Sequence, residues 1–171
     1  MTGFDPANNA ITLNDGSKTT YDILVVNPGL SLRFDKIEGA KAALDDPDAP
    51  VASMYTLEGA YKTSLLRANF KGGNAVFTCP TFPIKCGGAP QKILYLSEDT
   101  WKKNGVKAKS RLMYFSAPAV MFPPSDEFNQ ALQATCEGKG IEQFFSHNLV
   151  AIDKDKRVAS FKHTKSEQII T

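Results

Sequence analysis

The stretch Asn74–Trp101 constrains the fold of this chain more than any other part of its sequence. It opens with the apolar, β-branched and aromatic run Ala75–Thr78, which is typical of a buried strand. Two prolines end that run, and a third, Pro90, stands where the first turn of a helix tolerates proline. No helix breaker follows before Gly105, so the sequence predicts a strand, a loop and a helix over Pro90–Asn104.

The loop between this strand and this helix carries a cysteine, Cys86, which follows Lys85 and lies near Lys92. A thiol at the start of a helix lies in the positive field of the helix N-terminus, and neighbouring lysines act in the same direction. Both features favour the thiolate, which is the reactive form of cysteine. Cys86 is therefore the candidate catalytic residue, and the two lysines either tune it or are ordinary surface charges. Gly87 and Gly88 allow the backbone to turn tightly into the helix.

Composition indicates one well-packed globular domain, since the 171 residues are 42% hydrophobic and carry a net charge of +2. This balance, without a run of basic residues, argues against nucleic-acid binding. No apolar run approaches the roughly 20 residues that a transmembrane helix needs. The N-terminal residues also lack the basic flank and apolar core of a signal peptide.

The three cysteines, Cys79, Cys86 and Cys136, form no CxxC pair and no framework of paired spacings. This pattern predicts reduced thiols in an intracellular compartment. With two histidines and no HxxxH spacing, no metal site is predicted. Cys79 ends a strand and Cys136 lies on a helical face, so both are predicted to be buried packing residues.

The N-terminal part of the chain is predicted to form a hairpin followed by a strand. Ala10–Leu13 and Lys18–Tyr21 flank Asn14-Asp15-Gly16, which is the strongest hairpin signal in the sequence. The continuous apolar run Ile23–Val26 suits a strand that is covered on both faces, and it stops at a Pro-Gly turn.

Strand and helix patterns alternate along the rest of the chain. The predicted helices are Thr56–Phe70, Pro90–Asn104 and Glu127–Glu137, and the predicted strands are Ala75–Thr78, Arg111–Phe115, Ile141–Phe145, Leu149–Asp153 and Arg157–His163. Such alternation implies crossover connections and a mostly parallel sheet. The sequence therefore predicts an α/β, Rossmann-like domain of the dinucleotide-binding type, with helices on both faces of the sheet and an antiparallel meander. KCGGAPQK stands where such a domain carries GxGxxG, which argues against a nicotinamide nucleotide.

The residues around Cys86 resemble the sulfide:quinone oxidoreductase family, especially its eukaryotic mitochondrial type. The matching residues are Cys79-Pro80, Pro83, Lys85-Cys86, Gly88-Ala89-Pro90-Gln91-Lys92, Ile93 and Tyr95-Leu96-Ser97-Glu98. Tyr21–Val26 is also similar to the strand that returns to the flavin in this superfamily, with Asn27-Pro28 replacing the usual residues before Gly29. The resemblance covers nearly the whole chain but only the middle of a family member. The FAD-binding GxGxxG unit and the segment with a second active cysteine fall outside it.

The resemblance implies a flavoprotein oxidoreductase that captures sulfide sulfur on a cysteine pair, with electrons passing to FAD and then to ubiquinone. Cys86 corresponds to the cysteine that becomes a persulfide, and its disulfide partner would lie beyond residue 171. Gly29, Gly87 and Gly88 correspond to positions near the flavin. The implied partners are sulfide or a small sulfur acceptor, and ubiquinone.

The resemblance also implies a domain organisation and a location. Residues 1–30 would supply a hairpin and a strand that returns to the flavin domain, and residues 31–171 would form a degenerate NAD-binding-like α/β domain with the cysteine loop. Mitochondrial localisation is implied, as is peripheral membrane contact through segments outside this chain. Without the FAD fingerprint and the second cysteine, the chain alone is expected to be inactive.

Two alternatives remain open at this point. The first is a non-catalytic fragment or binding domain of a flavoprotein, which keeps the fold and a reactive thiol. The second is a related flavoprotein such as flavocytochrome c sulfide dehydrogenase or a type II NADH dehydrogenase. The latter is disfavoured because KCGGAPQK replaces the glycines that would bind NADH.

Overall fold

The computed structural model describes all residues from 1 to 171, and the chain divides into two compact units. The first unit comprises Met1–Leu30 and the second comprises Ser31–Thr171.

The first unit is built on a small antiparallel sheet. Its strands, in the order in which they pair, are β1 (Gly3–Asp5), β2 (Ala10–Thr12) and β3 (Lys18–Thr20). The turn between β2 and β3 holds Gly16 at a φ of 83°, in the left-handed region that glycine adopts without steric cost. The Asp15 carboxylate accepts hydrogen bonds from the backbone N–H and the hydroxyl of Ser17, at 3.0 and 2.7 Å. The predicted hairpin is therefore confirmed.

The strand predicted at Ile23–Val26 is wrong. The segment forms no strand, and the side chains of Ile23 and Val25 are 86% and 84% exposed. The three strands of this unit pair only among themselves, so the apolar run has no ladder to join. An apolar run identifies a segment that is suited to a sheet, but pairing requires a neighbouring strand.

The second unit contains four helices and six strands, and its predicted elements are all present. In chain order they are α1 (Ala40–Asp45), α2 (Leu57–Asn69), β4 (Gly73–Cys79), α3 (Ala89–Lys103), β5 (Ser110–Ser116), α4 (Asp126–Gly138), β6 (Ile141–Phe145), β7 (His147–Asp153), β8 (Val158–His163) and β9 (Ile169–Ile170). None of the four helices combines the length and the apolar composition that crossing a bilayer requires.

Strands β4, β5 and β6 form a parallel sheet in that order, joined by α3 and α4 as crossover helices. β5 lies in the centre, and alternate residues along it point to opposite faces. Leu112 and Tyr114 pack on the helical side with Leu94 and Trp101 of α3 and Cys136 of α4. This helical side holds the larger core of the unit.

The opposite face of the parallel sheet is covered by a second sheet. Strands β7, β8 and β9 are antiparallel, and Phe161 of β8 stacks on Phe115 of β5 with ring centroids 3.8 Å apart. Phe115 also stacks on Phe144 of β6 at 4.4 Å. The predicted fold class is thus confirmed as a mixed α/β fold with one parallel and separate antiparallel sheets. The prediction of helices on both faces is wrong, because both crossover helices pack on one face and the antiparallel meander forms the layer on the other.

Helix α2 is present as predicted, but its apolar residues face solvent. Its N-cap, Thr56, accepts a hydrogen bond from the backbone N–H of Gly59 at 3.0 Å. Leu57 and Tyr61, whose spacing predicts the helix, are 83% and 68% exposed. The helix contacts α3 near its C-terminal end, where the Trp101 indole N–H donates to the carbonyl of Arg67 at 2.9 Å.

One carboxylate is buried within this unit, at Glu98 of α3. It forms ion pairs with Lys107, which precedes β5, and with Lys139, which follows α4. Burial would raise the pKa of Glu98, but hydrogen bonds from the two ammonium groups outweigh that effect and hold the pKa below its ordinary value. The ion triad therefore ties together three segments at one end of the helical layer.

Candidate active-site loop

Cys86 lies on the loop that leaves the carboxyl end of β4 and enters α3, and its side chain is exposed. Its carbonyl accepts hydrogen bonds from the Ala89 N–H at 3.3 Å and from the Tyr55 hydroxyl at 3.4 Å. Ligands of open α/β sheets bind at the carboxyl ends of the strands. The fold thus presents this thiol to solvent at the edge of the sheet where binding sites form.

The lysines predicted to tune Cys86 lie on either side of it along the loop and helix. Lys85 and Lys92 are both exposed, and neither ammonium group makes an ion pair or a side-chain hydrogen bond. Any effect of theirs on sulfur chemistry at Cys86 acts through space rather than by direct contact. Exposed charges of this kind interact weakly and are screened by salt.

The three glycines predicted to lie near a flavin differ in their backbone requirements. Gly29, in the first unit, has a φ of 77°, which side-chain-bearing residues adopt only with strain. Gly88 has a φ of −88°, and a methyl group there would meet no atom within 4 Å. A methyl group at Gly87 would meet the rings of Phe122 and Phe82 at 3.7 Å, which is ordinary contact. Gly87 and Gly88 therefore form no cradle that a side chain would fill, and flavin contact at the three glycines stays a prediction.

Two side chains hold the segment that follows β5 against α3 and α4. The Gln91 amide of α3 donates to the carbonyl of Met121 at 2.7 Å. The Asn129 side-chain oxygen of α4 accepts from the Met121 N–H at 2.7 Å. Both polar side chains are buried, and the sequence reasoning missed them. The only signal was a polar residue on the inward face of each helix.

A groove of about 410 Å³ lies between α3 and α4, beside the Cys86 loop. Its lining consists of Gly88, Gln91, Lys92, Tyr95, Phe122, Phe128, Ala131 and Leu132. Phe128 is 64% exposed and packs edge-on against Phe122 at the groove. The inward position at the start of α4 is taken by Asn129, one residue later.

The other two thiols are buried, as predicted. Cys79 ends β4, and Cys136 lies on the inner face of α4, where its sulfur is 3.5 Å from the Tyr95 hydroxyl. Burial raises the pKa of both thiols. Among the three cysteines, only Cys86 is exposed to solutes, so it remains the candidate for exchange chemistry.

The two histidines lie together in the antiparallel sheet. His147 and His163 are paired across β7 and β8, with ring centroids 5.0 Å apart, and both are half-buried. His147 Nδ1 contacts the carbonyl of Phe145 at 2.7 Å, and His163 Nδ1 accepts from the Ser166 N–H at 3.0 Å. Both rings thus hydrogen-bond within local turns, and His147 also packs edge-on against Phe115 and Phe144.

No family model matches the chain. A curated relative, the mitochondrial sulfide:quinone oxidoreductase of Dictyostelium discoideum, is 39% identical over 171 residues, which are 99% of this chain and 37% of the relative. The chain thus spans little more than a third of the length of this curated relative.

Two solved structures share the fold. The sulfide:quinone oxidoreductase of Aquifex aeolicus matches 97% of this chain and 37% of its own, with a TM-score of 0.74 and 22% identity. A chain of the Tetrahymena thermophila mitochondrial ATP synthase matches 99% of this chain and 42% of its own, with a TM-score of 0.75 and 23% identity. The two structures show the shared fold, and the sequence match confirms the resemblance: the chain is a partial-length relative of the mitochondrial sulfide:quinone oxidoreductases.

Proposed function

We propose that this chain is the cysteine-bearing α/β part of a sulfide:quinone oxidoreductase, in which Cys86 carries sulfide sulfur as a persulfide. Hydrosulfide attacks a disulfide that contains Cys86, a Cys86 S–S bond forms, and the partner cysteine leaves as a thiolate. Cys86 then holds the sulfur atom until a second nucleophile accepts it. A small thiol or another sulfur nucleophile is the acceptor.

The exposure of Cys86 at the carboxyl edge of the parallel sheet carries this proposal. Thiol–disulfide exchange requires access of the attacking nucleophile to the sulfur, and the other two thiols are buried. Lys85 and Lys92 support the reaction by adding positive charge near anionic sulfur species. Because both ammonium groups are exposed, we expect their contribution to fall as the ionic strength rises.

FAD and ubiquinone enter this proposal only as the electron acceptors of a complete enzyme. Gly87 and Gly88 form no cradle that a side chain would fill, so no step at the flavin is assigned to them. Residues 1–30 are proposed to belong with the flavin domain and residues 31–171 to be the degenerate nucleotide-binding domain. Mitochondrial placement and catalytic inactivity of this chain alone belong to the same proposal.

Thiol reactivity of the purified chain tests the proposal. Folded wild type is treated with iodoacetamide, or with disodium disulfide as a sulfane-sulfur donor, and each cysteine is examined by peptide mass spectrometry. Cys86 should react with iodoacetamide faster than Cys79 and Cys136, since it is exposed and they are buried. It should also gain the mass of one sulfur atom from the disulfide.

The Cys86→Ser variant is the matched control, because an exposed loop position tolerates this change in volume. It should lose the fast alkylation while keeping the slow reaction of the buried thiols. Equal labelling of all three cysteines, or labelling of Cys86 only after unfolding, would contradict the proposal.

A non-catalytic binding domain is the second candidate, and the exposed face of α2 favours it. Leu57, Tyr61 and Leu65 lie on one side of the helix and are all exposed. Apolar side chains in such a row are typical of a surface that another protein segment covers. Failure of Cys86 to take up sulfur, in a chain that is shown to be folded, would favour this candidate.

A further inference from the structure

The groove between α3 and α4 lies at the carboxyl edge of the parallel sheet. Both helices begin at that edge, because each follows a strand of the sheet, and the groove is lined mainly by their first two turns. Small molecules bind open α/β sheets outside the carboxyl ends of the strands. The groove is therefore placed where a ligand of this unit would lie.

The walls of this groove are apolar. Phe122 and Phe128 pack edge-on with ring centroids 6.4 Å apart, and Tyr95 and Leu132 line the two helices. The Tyr95 hydroxyl is already in contact with the buried sulfur of Cys136 at 3.5 Å. Aromatic and aliphatic walls of this kind bind the apolar part of a ligand. An inorganic sulfur anion, which has no apolar part, would gain nothing from them.

The groove meets the thiol loop at two glycines. Gly88 is part of its lining, and a methyl group at Gly87 would lie 3.7 Å from the ring of Phe122, which also lines the groove. Cys86 directly precedes Gly87, and its side chain is exposed. A molecule that reacts at the Cys86 sulfur therefore finds an apolar surface one residue further along the chain.

One cationic side chain belongs to the groove. Lys92 lines it, is exposed and makes no ion pair. The acids of the facing helix precede Phe128, and one of them, Glu127, accepts a hydrogen bond from the Ser125 hydroxyl at 3.1 Å. An ammonium group in this place favours an anionic sulfur over a neutral one. The groove thus combines apolar walls with a charge that suits a thiolate.

We propose that the groove holds the alkyl or aryl part of a small thiol that reacts at Cys86, so that the sulfur acceptor is an apolar thiol. The inference rests on the sulfur chemistry proposed for Cys86 and names its acceptor. The acceptor thiolate attacks the outer sulfur of the Cys86 persulfide, and a new S–S bond forms between them as the S–S bond to Cys86 breaks. Cys86 leaves as a thiolate and takes up the proton that the acceptor thiol gave up, so no oxidant or reductant is needed.

Alkylthiolation of the folded full chain tests the groove without requiring a persulfide. Ethyl and hexyl methanethiosulfonate deliver the same reactive sulfur to the Cys86 thiolate and differ only in the length of the alkyl chain. The methanesulfinate leaves, and the rate of modification at Cys86 is followed by peptide mass spectrometry. Since each methylene group that leaves water favours binding, the hexyl reagent should react about tenfold faster than the ethyl reagent. Equal rates would overturn the inference.

Two tryptophan variants locate the preference. Ala131 is exposed and lines the groove, so Ala131→Trp places an indole in it and should abolish the difference between the two reagents. Ala134→Trp makes the same change at an exposed position of α4 that does not line the groove, and it should keep the difference. Phe128→Ala removes a wall instead of filling the groove and should reduce the difference. A preference that survives in Ala131→Trp, or disappears equally in both tryptophan variants, would overturn the inference.

Sulfur transfer separates this inference from the proposed function. The chain is loaded with disodium disulfide, and transfer of sulfur from Cys86 to ethanethiol or hexanethiol is measured. Hexanethiol should reach the same rate at about a tenfold lower concentration. A Cys86 persulfide that reacts equally with both thiols would overturn the inference and leave the proposed function intact. A chain that forms no persulfide on Cys86 but prefers the hexyl reagent would contradict the proposed function and support the groove as the site of an apolar thiol.

Discussion

Helices α2 and α3 are neighbours of similar length, yet they differ in whether the side that carries the apolar residues is buried. α3 places Leu94 and Trp101 in the core and even buries the carboxylate of Glu98. α2 exposes Leu57 and Tyr61 and touches α3 mainly near its own C-terminal end. Both helices have apolar residues at helical spacing, but only the apolar face of α3 is buried within the unit.

The cause of this difference is topological. α3 is the crossover between two adjacent parallel strands, so the connection itself lays it on the sheet. α2 precedes the first strand of that sheet, and no crossover forces its apolar face inward. Apolar spacing therefore identifies a helix, whereas the order of the elements decides which face is buried.

The Leu94→Ala variant gives the largest expected effect. Leu94 is fully buried, so the substitution removes its packing and leaves a cavity under the sheet. We expect the free energy of unfolding to fall by about 4 kcal/mol. Trp101, the only tryptophan, reports unfolding of this unit by fluorescence in urea. A loss below about 1 kcal/mol would show that α3 is no better packed than α2.

The Glu98→Gln variant should have the next largest effect, because it leaves two lysines without their shared carboxylate. We expect a loss of about 3 kcal/mol at neutral pH, at the lower end for a buried pair, since both ammonium groups are partly exposed. The measurement is the same urea titration, with Asp99→Asn, which removes an exposed ion pair on the same helix, as the control.

The pH dependence of this loss has a defined sign. The folded-state pKa of Glu98 lies below its ordinary value of 4.5, so the stabilisation is complete above that value and is lost as the pH falls through the folded-state pKa. The difference between wild type and Glu98→Gln should therefore be constant from pH 7 to about 5 and shrink below about 4. A difference that grows on acidification would contradict the ion triad.

The Leu57→Ala variant should have the smallest effect and is the counterpart of Leu94→Ala on α2. The same atoms are removed, but from a side chain that is 83% exposed. We expect the free energy of unfolding to change by no more than about 0.5 kcal/mol. A loss close to that of Leu94→Ala would mean that the apolar face of α2 is buried in solution by another surface.

The sequence predicted those features whose signals are local. The β4–loop–α3 unit and the place of Cys86 on its loop follow from an apolar run, prolines and glycines within a single stretch. The ion triad could not be read in this way, because Glu98 lies 9 and 41 residues from its two lysines. Gln91 lies 30 residues from the carbonyl that it holds. Such pairs depend on the path of the chain, which residue spacing does not contain.

The same distinction between local signals and distant pairings holds for the candidate site. Cys86 and its glycines were found from their motif, whereas the pairing of Cys79 with Ser116 depends on the register of two strands. The strand predicted at Ile23–Val26 failed for the related reason that its pairing partner is not specified by its own residues. Local composition thus predicts which segments can form strands but not which strands they join.

That unpaired segment has a consequence for how the chain behaves at high concentration. Ile23–Val26 combines four aliphatic residues of high β-propensity with no charge and no proline, and it is displayed outside any sheet. Such segments nucleate intermolecular cross-β pairing, and charged or proline residues beside them oppose it. Asp22 lies on one side of the run and Pro28 on the other. The four aliphatic residues therefore favour aggregation of this chain, and the charge and the proline near them limit it.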